Sequence, residues 1–133
     1  NIYESKKMKP KINNITAWKQ AELLMQPAFI RILDHIRKKL ENSVWQGTYE
    51  EVQIPIPGYR LDLEYQEQKI SINVWELCYQ VCFSNYFYTD YADEIVEVDI
   101  DINLLNQEGN VNWDILDEKA LKVVENMMAN LPK

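Results

Sequence analysis

The sequence predicts a single α+β domain, in which a small three-stranded mixed sheet packs with about three to four helices. Two stretches, residues 59–74 and 95–103, alternate apolar and polar residues, which is typical of half-buried strands. Two others, residues 16–42 and 112–130, repeat apolar residues every three or four positions, which is typical of helices. With 133 residues, 47% of them hydrophobic, the chain is long enough to bury one core.

The segment from Val74 to Tyr86 is the element around which we expect the other elements to pack. At helical spacing its aromatic residues and cysteines share one wide face, while Leu77 and Val81 lie on another. A helix that is apolar on most sides must be covered on most sides. We therefore expect it at the centre of the fold, with Asn73 as its N-cap.

Residues 1–13 are predicted to be a flexible basic tail that precedes a domain spanning residues 14–133. Four lysines face one acidic residue, Glu4, in this stretch, and apolar periodicity is weak. Met8 resembles an initiator methionine, so we assign no function to the residues before it.

The first helical stretch contains Pro27, which would remove one backbone hydrogen bond and clash with the preceding turn. We expect a short helix near residues 16–25, then a kink or restart at Pro27 and a longer helix to about Asn42. The connector Ser43–Gly58 has prolines at alternate positions near its end. These predict an edge strand or a polyproline-like strap over residues 53–58.

Residues 59–65 and 69–74 predict a hairpin with a turn at Glu67 and Gln68, and residues 95–103 predict a third strand. A right-handed crossover through the central helix would return the third strand parallel to the second. The expected strand order is therefore 2-1-3. A last helix is expected from Asn112 or Asp114 to Asn130, ended by Pro132.

The net charge of −7 and pI near 4.7 argue against sequence-independent nucleic-acid binding, which needs clustered lysine and arginine. They also disfavour anionic membrane surfaces. The sequence shows no apolar run of transmembrane length and no secretory leader, so we expect a cytoplasmic protein. Cys78 and Cys82 are expected to be buried, reduced thiols, because they lie within the apolar helix.

No catalytic motif stands out, so the sequence predicts a protein that is not an enzyme, with no catalytic residues, metal or cofactor. Three glycines are too few for a phosphate-binding loop of the usual kind, and GxSxG, HExxH, GxGxxG and CxxC patterns are absent. The single histidine, His35, has no evident catalytic partner. The alternative is a small-molecule-binding domain or unrecognised enzyme with a pocket between the sheet and the central helix, where Tyr79, Tyr86 and Tyr88 would supply polar groups.

Two sets of residues are candidates for binding a protein partner. If the first and third strands are neighbours, five carboxylates share one wet face: Asp62, Glu64, Glu97, Asp99 and Asp101. Such a face is either a solvated sheet surface that protects the sheet edge or a binding site for a basic peptide. Carboxylates at alternate strand positions diverge, which disfavours binding of a calcium or magnesium ion. Four aromatic residues follow the central helix, either as a lid on the core or as a recognition patch: Tyr86, Phe87, Tyr88 and Tyr91.

Several segments together resemble a family of small acidic cyanobacterial proteins that includes carboxysome assembly chaperones. The resemblance is carried by Trp45-Gln46-Gly47-Thr48-Tyr49, by Trp75-Glu76-Leu77-Cys78-Tyr79-Gln80-Val81-Cys82-Phe83, and by residues 21–31, 57–59, 112–114 and 116–120. It implies a non-catalytic adaptor that binds a carboxysome shell protein through the C-terminal extension of that protein. It also implies association with the carboxysome. No residue roles are transferred, and a homo-oligomer is compatible with the sequence.

Overall fold

Three α-helices and a three-stranded antiparallel sheet form the core of this protein, which confirms the predicted α+β class. The computed structural model describes residues 9–11, 15–52, 58–84, 86 and 95–132. Among these residues, no helix combines the length and the apolar character that crossing a membrane requires.

Helix α1 (Ile15–Glu41) is one continuous helix of 27 residues, so the predicted helix end near residue 25 and restart at Pro27 are wrong. Proline in a helix interior costs about 3 kcal/mol because one hydrogen bond is lost. Leu24 and Ala28, on either side of the proline, are fully buried on the same face as Ile32. Burial of this continuous apolar face offsets the cost and lets the helix continue through Pro27.

The sheet contains β2 (Gln46–Val52), β3 (Gly58–Tyr65) and β4 (Gln68–Asn73), in the order β2-β3-β4 and antiparallel throughout. The predicted hairpin is confirmed as β3 and β4, joined by a turn at Gln66 and Glu67. The inner face of the sheet carries buried Leu61 and Leu63. Strand β2 comes from the connector and precedes the predicted 53–58 strap, whose residues 53–57 lie outside the described part of the chain.

The predicted mixed sheet with strand order 2-1-3 is wrong, because β3 has β2 on one side and β4 on the other and pairs with both in the antiparallel direction. Only Ile95–Glu97 of the predicted third strand is extended in a ladder, as β5, and it pairs in parallel with β1 (Lys9–Lys11). The chain then forms a 3₁₀ turn at Ile102–Leu104, which the Asp101 side chain caps. Strand β1 falls inside the predicted basic tail, and the flexibility of that tail stays a prediction.

Helix α2 (Val74–Cys82) is the buried centre that the sequence predicts. Val74, Cys78 and Val81 have no exposed surface, and the N–H of Trp75 donates to Asn73 Oδ1 at 3.0 Å, which confirms the predicted N-cap. Helix α3 (Trp113–Ala129) packs beside α1 through Leu116, Ala120 and Val124. A hydrogen bond of 2.9 Å joins His35 of α1 to Asp117 of α3.

Gly47 of β2 lies where the strand meets α1 and the inner face of the sheet. A Cβ atom there would lie 2.7 Å from Leu40 Cδ1 and 3.2 Å from Leu61 Cδ1. We expect Gly47→Val to lower the free energy of unfolding by about 1–3 kcal/mol, since overpacking forces neighbouring side chains to shift. Urea unfolding measures this change. Thr48→Val on the exposed outer face is the matched control, and an equal loss in both variants would contradict the packing argument.

Candidate protein-docking groove

An open groove of about 860 Å³ runs between α1 and the edge strand β2. Its lining is mainly apolar, and two of its residues are notably exposed: Ile30 at 52% and Tyr49 at 38%. The apolar lining residues are Phe29, Ile30, Leu33, Leu40, Trp45 and Tyr49. Exposed apolar residues that line a concave surface are typical of a site that binds a protein segment or an apolar small molecule.

A row of aromatic rings supports the groove from beneath. Phe29 stacks on Trp75 of α2 with ring centroids 4.8 Å apart, and its edge meets Tyr59 of β3 at 5.3 Å. Tyr59 in turn contacts Tyr49 of β2 at 5.4 Å. The row therefore ties both walls of the groove to the central helix, which pre-organises the surface before any partner binds.

The Tyr49 hydroxyl is held in its protonated form. Burial raises its pKa to about 12, and the neighbouring Tyr59 adds to the rise. The hydroxyl is a neutral hydrogen-bond donor at physiological pH, as it would be at the ordinary pKa of tyrosine, and it belongs to a groove with a mainly apolar lining.

Charged side chains line the rim of the groove, and most of them are paired with one another. Arg37 donates to Asp34 at 2.9 Å and to Glu41 at 2.8 Å. Hydrogen bonds from Arg37 and Lys38 lower the pKa of Asp34, so its carboxylate stays ionised. On β2, Glu50 pairs with Arg60 at 2.6 Å, whereas Glu51 has no ion pair among the side chains that the structure describes.

The five candidate carboxylates are not brought together on neighbouring strands. Asp62 and Glu64 lie on the outer face of β3, where Glu64 stands opposite Lys69 of β4. Hydrogen bonds from Ser71 and Arg60 hold the pKa of Asp62 below its usual value. Glu97 belongs to β5, which is not part of this sheet, and Asp99 is an exposed residue that follows β5 in the chain.

Asp101 has a local structural role. Its carboxylate accepts the N–H of Asn103, and it also accepts a 2.6 Å hydrogen bond from Lys119 of α3. Burial alone would raise the pKa of Asp101, but the bonds from Lys119 and Asn103 outweigh burial and lower it. The charge of Asp101 is therefore already balanced within the chain.

Of the candidate aromatic cluster, the structure describes Tyr86 alone, and this residue packs in the core with 7% of its surface exposed. Its hydroxyl donates to Glu76, and its ring meets the edge of Tyr79 at 5.4 Å. The remaining candidates, Phe87, Tyr88 and Tyr91, lie outside the described residues.

A second cleft, of about 520 Å³, lies among β4, α2 and α3, close to where the small-molecule alternative places its pocket. Its polar lining consists of three amides and one phenol: Gln80, Asn126, Asn130 and Tyr86. Among the described residues, no carboxylate, imidazole or amine lines this cleft, so those residues supply no acid and base suited to proton transfer near neutral pH. Within the described ranges, no group of three or more histidine, cysteine, aspartate or glutamate side chains is placed to hold a metal ion.

No family model, curated protein or solved structure matches this chain. The groove residues Ile30, Leu33 and Tyr49 were not among the candidates drawn from the sequence. A signal for two of them was present, because Leu33 and Ile30 widen the apolar surface of α1 beyond the buried stripe of Leu24, Ala28 and Ile32.

The thiols of Cys78 and Cys82 are buried and unpaired by disulfide, as the sequence predicts. Burial raises the pKa of Cys82 to about 12 and raises that of Cys78 further. We expect neither thiol to react with a thiol-specific reagent at pH 8 in the native protein, and both to react in denaturant. Fast labelling of the native protein would contradict this burial.

The same pKa shifts predict a loss of stability at high pH. Unfolded thiols ionise near their usual pKa of 9.0, while the folded thiols stay protonated up to about pH 12. Above pH 9 the free energy of unfolding should therefore fall by up to about 1.4 kcal/mol per pH unit for each thiol. Urea unfolding from pH 8 to 11 tests this, with the Cys78→Ala variant showing a smaller slope.

Proposed function

We propose that this protein is a non-catalytic adaptor that holds a segment of a protein partner in the groove between α1 and β2. The observation that carries the proposal is the exposed apolar lining of this groove beside a closed core. The core residues Leu24, Leu61 and Leu116 have no exposed surface, whereas Ile30 is half exposed on the groove wall. An apolar surface that the chain leaves uncovered is suited to a partner's apolar side chains.

The resemblance to carboxysome assembly chaperones supports a specific partner. We propose that the bound segment is the C-terminal extension of a carboxysome shell protein, and that binding assists assembly of the shell. This role places the protein in the cytoplasm, at assembling carboxysomes. It requires no catalytic residue and no cofactor.

The second candidate is a small-molecule-binding domain that uses the cleft among β4, α2 and α3. The amides of Gln80, Asn126 and Asn130 favour it, since they could hydrogen-bond a polar ligand. The groove supports the adaptor more strongly, because it is larger and its apolar lining is more exposed.

Calorimetric titration with purified shell protein tests the adaptor proposal. We expect intact shell protein to bind, and shell protein without its C-terminal extension to show no measurable binding. A synthetic peptide with the sequence of the extension should compete for the same site. Equal binding of the intact and truncated shell proteins would overturn the proposal.

A further inference from the structure

Among the residues that the structure describes, strand β2 is an edge of the sheet with no strand on its second side. Within the described chain it pairs with β3 alone, over all seven of its residues from Gln46 to Val52. An edge strand presents a row of backbone N–H and C=O groups that can pair with another extended chain.

The register of the sheet identifies which backbone groups point outward. Tyr65 and Gln68 close the two-residue hairpin turn, and such a closing pair exchanges both of its backbone hydrogen bonds. The N–H and C=O groups of successive residues in a strand point to opposite sides. Tyr65 and Leu63 therefore hydrogen-bond to β4, while Glu64 hydrogen-bonds to β2. The residues of β2 that bond to β3 are therefore Gln46, Thr48, Glu50 and Val52. Those that turn N–H and C=O to the open edge are Gly47, Tyr49 and Glu51.

The open edge and the groove are parts of one surface. Gly47 and Tyr49 line the groove and also supply outward-facing backbone groups. A chain laid beside β2 would point every second side chain into the groove, towards Ile30 and Leu33 of α1, because strand side chains alternate between faces. The intervening side chains would lie on the outer face, beside Thr48 and Glu50.

We propose that the partner segment binds as a fourth strand, added to β2 through the backbone of Gly47, Tyr49 and Glu51. The proposal rests on the proposed function and specifies how the partner is held. The segment it fits has apolar residues at alternate positions, which enter the groove, and lysine or arginine residues between them or next to them.

Charge complementarity selects this occupant. Both Glu50 and Glu51 of β2 are exposed; Glu50 is paired with Arg60, whereas Glu51 has no ion pair among the described side chains. A basic residue of an added strand would complement the Glu51 carboxylate. A second copy of this chain is disfavoured, because each copy carries a net charge of −7 and would bring a second pair of glutamates to the edge.

Residue-resolved amide hydrogen exchange tests the strand addition. In the free, isotopically labelled full chain, we expect the amides of Gly47, Tyr49 and Glu51 to exchange at least about tenfold faster than those of Thr48 and Glu50. The probe is the synthetic peptide with the sequence of the shell-protein extension, at saturating concentration. The three outward amides should then slow by at least about tenfold, while the amide of Gly109, in a distant turn, should not change.

Peptides that are N-methylated at one position at a time provide the second measurement. N-methylation removes one backbone donor, so strand addition predicts at least about tenfold weaker binding at every second position and retained binding at the positions between. Peptide binding without this alternation, and without slower exchange of the three outward amides, would overturn strand addition and leave the adaptor proposal standing.

Two other results are also decisive. Failure of the peptide to bind the full chain would overturn the adaptor proposal itself. Slower exchange of the same three amides at higher protein concentration, without peptide, would assign the edge to a second copy and overturn the proposed partner.

Discussion

Ile30→Glu is expected to weaken binding of the extension peptide by at least about 100-fold. Ile30 lines the groove and is half exposed in the free protein, so the new carboxylate is hydrated before binding. An apolar partner side chain would have to remove that hydration without supplying a counter-charge, which costs several kcal/mol. A loss of about 2.7 kcal/mol corresponds to the 100-fold change. Titration calorimetry measures it.

Leu23→Glu is the matched control for this variant. Leu23 lies on the same helix, is 42% exposed and does not line the groove. We expect Leu23→Glu to bind the peptide like the original chain, and both variants to keep the free energy of unfolding within about 0.5 kcal/mol. Equal affinities of Ile30→Glu and Leu23→Glu would show that the partner docks elsewhere.

Phe29→Ala is expected to lower the free energy of unfolding by about 2–3 kcal/mol, less than for a fully buried phenylalanine because Phe29 is partly buried. The ring of Phe29 lies between Trp75 of α2 and Tyr59 of β3. Its loss therefore leaves a cavity where α1, α2 and the sheet meet. Aromatic pairs of this geometry add about 0.5–1.5 kcal/mol each beyond area burial. Urea unfolding followed by tryptophan fluorescence measures the change.

Ile30→Ala provides the comparison, since Ile30 is the next residue and half exposed. Its truncation should cost less than about 1 kcal/mol. A Phe29→Ala cost as small as this would mean that the aromatic row does not hold α1 on the sheet.

The elements with strong local signals could be predicted from the sequence. Strands β3 and β4 alternate cleanly because one sheet face is buried and the other is wet. Helix α2 is apolar on most sides because α1, α3 and the sheet all cover it. Asn73 caps this helix through a hydrogen bond to a residue only two positions further along the chain. Each signal depends on near neighbours in the chain.

The elements with weak local signals depend on tertiary contacts. Strand β2 combines a glycine with two adjacent glutamates, and its place at the sheet edge comes from pairing with β3. Val98 and Ile100 are buried in the core, and Ile100 forms an isolated antiparallel bridge with Phe83 instead of a ladder, so the alternating burial resembles that of a strand. The helix continues through Pro27 because the burial of Leu24 and Ala28 outweighs a local rule.

The groove could not be predicted, because it exists only where α1 and β2 come together. The acidic candidates followed from an incorrect strand order, and Asp62 and Asp101 proved to be paired with Arg60 and Lys119. The sequence shows that α1 has more apolar residues than one buried face needs. Without knowing that β2 lies opposite, however, there was no reason to assign Ile30 to a binding surface instead of the core.

Site-specific photocrosslinking tests the central claim most directly. A benzoylphenylalanine placed at Ile30 lies in the groove, and one placed at Met127 lies in the second cleft. With shell protein present, we predict a crosslink from position 30 that disappears when the C-terminal extension is removed, and none from position 127. A crosslink from position 127 with none from position 30 would contradict the assignment of the groove as the docking site.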